Sequence, residues 1–178
     1  MMAGDRRLAF DPIAEARRQW TEHGWSDAAE GMAAVTSIMR VQQVLMARAD
    51  AVLRPFGLTF ARYEVLMLLL FSRHGRLPVG KVGERLQVGA ASVTNAVDRL
   101  QADGLVARRT NPADGRGVLA AITPAGRRLA RRATDLLNEQ LFEALELSDE
   151  ELGELVDRLK EFRRRAGDFQ EETRRPLP

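Results

Sequence analysis

The chain has 178 residues, enough for one compact domain with a real core plus arms, and its 45% hydrophobic and 29% charged residues are those of a folded protein, not a disordered one. It has no cysteine and only two histidines, His23 and His74, which excludes disulfides and thiol redox chemistry and leaves no ligand set for zinc. The net charge of +2 conceals an uneven distribution. Residues 1–57 are balanced, residues 58–132 carry 13 basic against 5 acidic side chains, and residues 133–178 carry 7 basic against 13 acidic ones. A positive centre beside a negative end suits a polyanion-binding module joined to an assembly module.

The longest apolar run, Val65 to Phe71, falls far short of the roughly 20 residues that cross a bilayer. No apolar stretch follows the charges of Met1–Arg7, so no signal peptide is expected and the cytoplasm is the expected location. Asp11-Pro12 opens a short helix, aspartate as cap and proline at the first helical position, and His23-Gly24 ends it. Ser26 caps a second helix that runs to about Arg54, where Pro55 and Gly57 stop it. Met32, Val35, Ile38, Met39, Leu45, Ala49, Val52 and Leu53 recur along it at steps of three and four. So long an apolar stripe needs a partner to cover its far end.

Thr59 caps the next helix, with Leu58 placed to staple onto Tyr63, and Val65, Leu66, Leu68, Leu69 and Leu70 make it the most buried one. Gly75 closes it, and Arg76–Pro78 is a short extended piece. Two helices follow in quick succession, Val79 to Leu86 and Ala90 to Asp103, with Gln87-Val88-Gly89 as the turn and Gly104 as the stop. Val93, Val97 and Leu100 form the inward stripe of the second, which leaves Ala91, Ser92, Thr94, Asn95, Asp98 and Arg99 outside. Leu105–Asn111 and Val118–Ile122 read as strands joined by the turn formers Pro112 to Gly117, a hairpin. Thr123-Pro124 then caps a helix to about Leu145, with Leu129, Ala133, Leu136, Leu137 and Leu141 aligned. Ser148 and Glu151 form a capping box for the last helix, which carries Leu152, Leu155, Val156, Leu159 and Phe162.

Helix, short strand, helix, turn, helix, hairpin is the order of a winged helix-turn-helix, in which the second helix of the pair enters a major groove. Small and hydrogen-bonding residues on its outer face fit that task. Arg108 and Arg109 lie on the first strand of the hairpin and Arg116 at its tip, where a guanidinium can enter a minor groove, steadied by Asp114. The fold class expected is mainly α with a small β-hairpin wing. Its parts are a helical arm (1–25), a dimerisation helix (26–57), the winged module (58–126), C-terminal dimerisation helices (127–166) and a tail (167–178).

Two stretches carry a resemblance to a known family. Ser92 to Leu100 followed by Asp103-Gly104-Leu105-Val106-Ala107-Arg108, and Asp114-Gly115-Arg116 followed by a strand, Thr123 and Gly126, resemble the recognition helix and the wing of the MarR regulators. The likeness is strongest over residues 58–127 and extends to about 27–165. It implies a homodimer that binds a pseudo-palindromic operator, as a regulator of the repressor kind. Ala91, Ser92, Thr94, Asn95 and Arg99 would meet the major groove, and Arg108, Arg109, Asp114 and Arg116 would serve the wing. Gly115 stands where many members have a further arginine. The dimer interface would hold Met32, Val35, Ile38, Leu137, Leu141, Leu155 and Leu159.

Without cysteine or clustered histidines, the signals left by the resemblance are small aromatic or lipophilic acids, and no cofactor or metal is expected. Trp20, Trp25, Glu64 and Arg108 are the candidate ligand residues, by similarity to urate-type members, although Ala96 stands where those have an arginine. Packing at the dimer seam is the competing role of the two tryptophans. The alternatives from other classes are a winged-helix interaction module without ligand sensing and a small enzyme. The second lacks a Ser-His-Asp set, paired acids or a phosphate-binding glycine loop.

Overall fold

The computed structural model describes residues 8–111 and 114–169, with the backbone alone at 114–116. The chain divides into two compact units at Arg48/Ala49.

In the first unit, helix α1 (Pro12–Glu22) starts where Asp11 accepts a hydrogen bond from the Ile13 N–H at 2.9 Å, with proline in the first turn. Arg18 pairs with Glu15 and Glu22 along α1, and Arg17 reaches Glu30 on the next helix at 3.2 Å. Helix α2 (Ser26–Leu53) takes Ser26 into its first turn instead of leaving it outside as a cap. Its apolar stripe is poorly covered, and Val35, Ile38, Met39, Val41 and Val44 are exposed.

The second unit begins with the last turn of α2, which tightens into a 3₁₀ turn at Arg54–Phe56 and stops at Gly57 in the left-handed region. Helix α3 (Phe60–Phe71) is capped by Thr59 as the sequence indicates, while Asp50 accepts from the Phe60 N–H at 3.0 Å. Val65, Leu66 and Leu69 are buried at its centre. Strand β1 (Arg76–Pro78), helix α4 (Val79–Leu86), helix α5 (Ala90–Ala102), strands β2 (Val106–Asn111) and β3 (Asp114–Ile122) and helix α6 (Pro124–Leu137) follow. The three strands form one antiparallel sheet in the order β1-β3-β2. Arg76–Pro78 is thus an edge strand, where the missing N–H of Pro78 does little harm. Around α3 the core gathers Leu77, Val82, Val93, Val97, Leu100, Ile122, Ala130, Ala133 and Leu137. A polar tie crosses it, Tyr63 Oη to Thr134 Oγ1 at 2.9 Å.

Three expectations need correction. Strand β3 begins at Asp114, not Val118. The ladder runs to Thr110↔Val118 and then steps to Asn111↔Asp114, so three residues of β3 bulge out beside one step of β2. Second, α6 ends at Leu137, not Leu145. A wider π-turn over Asn138–Phe142 follows, marked by the Glu143 N–H bonding to the Asn138 carbonyl at 2.9 Å. The turn keeps Leu141 buried and leaves Phe142 exposed. Third, Leu137 and Leu141 are 0% and 4% exposed within the single chain, so they belong to its own core and have no surface to give a partner. Helix α7 (Asp149–Arg165), opened by the Ser148–Glu151 capping box, has no buried residue.

The base of the wing is packed too tightly for a side chain at one position. A Cβ on Gly126 would lie 2.2 Å from the Leu105 carbonyl oxygen, whereas one on Gly153 in α7 would meet nothing within 4 Å. Gly126→Ala should therefore destabilise by about 1–3 kcal/mol, and Gly153→Ala should stabilise by about 0.5–1 kcal/mol. Urea midpoints of the two variants moving in the same direction would contradict this packing.

Candidate nucleic-acid interface

Helices α4 and α5 meet at a turn that needs one close approach and one left-handed backbone. Gly83 lets them close, since a Cβ there would lie 3.3 Å from both the Val88 carbonyl oxygen and Val93 Cγ2. Gln87 ends α4 in the left-handed region at φ 54°, a place that glycine or asparagine usually takes. Val82, Val93, Val97 and Leu100 fasten the pair to the core. The outer face of α5 is then fixed. Ala91, Ser92, Thr94, Asn95, Asp98 and Arg99 are all exposed on it, as the sequence indicates.

That face is flanked by a guanidinium on each side. On the wing side, Arg108 of β2 pairs with Asp98 of α5 at 2.6 Å. The sequence assigns Arg108 to both DNA and ligand; in the structure its charge ties the wing strand to α5. No sequence signal beyond opposite charge marks this pair. On the other side, Arg62 of α3 reaches Asp103, just past the end of α5, at 3.5 Å. The sequence gives Arg62 no role, because α3 reads as a core helix. Arg99 and Arg109 are exposed and have no ion pair among the described residues. The side chains of Asp114 and Arg116 lie outside the described residues.

The proposed ligand residues fall in different places. Trp20 and Trp25 pack edge to face in the first unit at 5.3 Å between centroids, with His23 against Trp25 at 6.0 Å. In the second unit Glu64 sits half-buried on α3, and loss of solvation raises its carboxyl above the ordinary carboxylate range. Among the described residues no cluster of three metal-ligating side chains occurs, and no helix is long and apolar enough to cross a membrane.

A reading helix with a free polar face, packed on a core helix and followed by a β-hairpin, defines a winged helix-turn-helix DNA-binding regulator. The model of the MarR family matches residues 56–117. The transcriptional repressor YetL of Bacillus subtilis is 30% identical over 115 residues, covering 60% of this chain and 69% of that protein. The organic hydroperoxide resistance regulator of the same organism is 34% identical, but the match spans only 53% of its length. Among solved structures, the MarR family regulator Sco5413 of Streptomyces coelicolor is 52% identical with a TM-score of 0.73, covering 80% of this chain and 99% of that one. A mutant MarR from E. coli, complexed with operator DNA, is 26% identical with a TM-score of 0.69, covering 76% and 96%. The chain belongs to the MarR family of transcriptional regulators.

Glu64 gives a pH signature. Its raised carboxyl favours the neutral form in the folded state, so its contribution to stability is full below the unfolded value of about 4.3 and is lost as pH rises through the folded one. Glu64→Gln should raise the urea midpoint near pH 7 and leave it unchanged near pH 4. Equal midpoints near pH 7 would show that burial costs this carboxylate nothing.

Proposed function

We propose that the protein represses transcription by binding a pseudo-palindromic operator as a homodimer, and that a small aromatic or lipophilic acid releases it. The observation that carries the DNA reading is the outer face of α5. Four hydrogen-bonding side chains, Ser92, Thr94, Asn95 and Arg99, stand exposed on one helix whose opposite side is locked into the core. Such a face has no packing duty and presents donors and acceptors that can bond base edges and phosphates. The operator-bound relative and the repressor among the relatives support the same reading.

Dimer formation is supported by what the single chain leaves uncovered. Helix α2 exposes Val35, Ile38 and Met39, and α7 exposes Leu155, Val156, Leu159 and Phe162. Met32 is half-buried and belongs with the α2 group. Apolar stripes on two long helices suit an obligate interface, which usually buries more than about 2,000 Å². Release by a ligand rests on the family, and it requires the two binding events to be coupled by about 1–3 kcal/mol.

The test compares wild type, Asn95→Ala and Arg116→Ala on operator and non-operator duplexes across a salt series, with circular dichroism as the folding check and light scattering for mass. Light scattering should give twice the chain mass of 19.8 kDa. Asn95→Ala should lose about 1–3 kcal/mol on the operator and relax preference at one position per half-site. Arg116→Ala should weaken binding to all sequences and make the salt slope shallower by about one unit per arm. Folded variants that both bind like wild type would place DNA binding elsewhere on the chain.

A further inference from the structure

A concavity of about 450 Å³ lies between the first turn of α3 and the outer face of α5. Thr59 and Arg62 line it from α3, and Ser92, Asn95, Ala96 and Arg99 line it from α5, at the three- and four-residue steps of one helix face. Its chemistry is one-sided. Two guanidinium groups and three neutral hydrogen-bonding side chains line it, with no carboxylate among the lining residues.

Arg62 is held in place before any partner arrives. Its Nε donates to Thr59 Oγ1 at 3.4 Å, and one Nη1 proton reaches Asp103 at 3.5 Å. Its side chain is only 21% exposed. Both contacts are long, and Nη2 has no partner among the described residues. A pre-ordered arginine loses little freedom when it takes a bidentate partner. Arg99, across the concavity, is exposed and unpaired among the described residues. An aromatic acid would need an apolar wall, and the only apolar side chains lining the concavity are the methyl groups of Ala61 and Ala96, too small to seat a ring. A group with charge and several acceptor oxygens but no hydrocarbon face fits better.

We propose that this concavity seats a backbone phosphodiester of the bound duplex, gripped by Arg62 and Arg99 and by the Ser92 hydroxyl. The inference rests on the DNA-binding reading above and adds α3 to the contact surface. Asn95, which shares the lining, remains the base-edge residue of that reading. A phosphate grip of this kind fixes the register of α5 in the groove without reading sequence.

The test uses the full chain and a mixed-sequence duplex of about 30 base pairs, so that only backbone contacts are scored, with affinity measured across a salt series. Arg62→Gln should make the salt slope shallower by about one unit per reading head and lower affinity by about tenfold near 0.1 M salt. Arg62→Lys keeps the charge but loses the fork, so it should keep the slope and bind more weakly than wild type. Arg99→Gln alters an exposed, unpaired side chain and cannot unfold the protein by breaking a contact. It should lose slope as Arg62→Gln does, and it decides the matter if Arg62→Gln melts early. An unchanged slope in either folded glutamine variant, beside a steep wild-type slope, overturns the phosphate seat and leaves the DNA reading intact. A flat wild-type slope overturns both.

Discussion

The Leu105 carbonyl oxygen lies at the point where the reading helix, the wing and α6 meet. It accepts the Thr123 N–H at 3.0 Å and lies 3.1 Å from the Thr123 hydroxyl, which also reaches the Gly104 carbonyl at 2.9 Å. Thr123 Oγ1 in turn accepts the Gly126 N–H and so caps α6. Gly126 has no side chain because that oxygen fills the space. Next to it the Ile122 N–H donates to the Gly75 carbonyl at 2.9 Å, and the Arg127 guanidinium lies over Gly75 where a Cβ would be. Three segments distant in sequence, around Gly75, Leu105 and Thr123, are therefore fixed to one another by backbone groups and the Thr123 hydroxyl. The angle between α5 and the wing follows from this junction.

The surface pair Asp98–Arg108 adds to the same constraint from outside. With side-chain exposures of 55% for Asp98 and 32% for Arg108, it contributes at most modestly to stability, as exposed pairs do. Its effect is on geometry, since it joins the middle of α5 to the first wing strand. Arg62 and Asp103 do the same between α3 and the end of α5. The polar face of α5 is thus bracketed by two ion pairs, and its own Ser92, Thr94, Asn95 and Arg99 take part in neither.

Much of this was legible in the residues because local chemistry marks it. Asp11-Pro12, Thr59, Thr123-Pro124 and the Ser148–Glu151 box each start a helix where the sequence places it, as caps satisfy orphan N–H groups regardless of tertiary context. The polar face of α5 was equally legible, being the complement of Val93, Val97 and Leu100. The end of α6 was not. The chain turns after the π-turn with Glu146 in the left-handed region at φ 56°, a residue that gives no warning of it. The end of α4 was legible, since Leu86 closes it and Gln87 opens the turn as the sequence indicates. Apolar spacing also cannot tell a chain's own core from its partner's, which is why Leu137 and Leu141 read as interface. Arg62 and the Asp98–Arg108 pair depend on tertiary approach, so no spacing announces them.

The claim that joins these observations is that DNA meets α5 and its flanks, not the long helices. Amide hydrogen exchange of the full chain, with and without a saturating duplex of about 30 base pairs, measures this directly, because bound backbone slows in exchange where contact orders it. The expected result is slowed exchange in the first turn of α3, along α5 from Ala90 to Arg99, and in the hairpin that contains Arg116. Slowing confined to α2 and α7, with α5 unchanged, would contradict it.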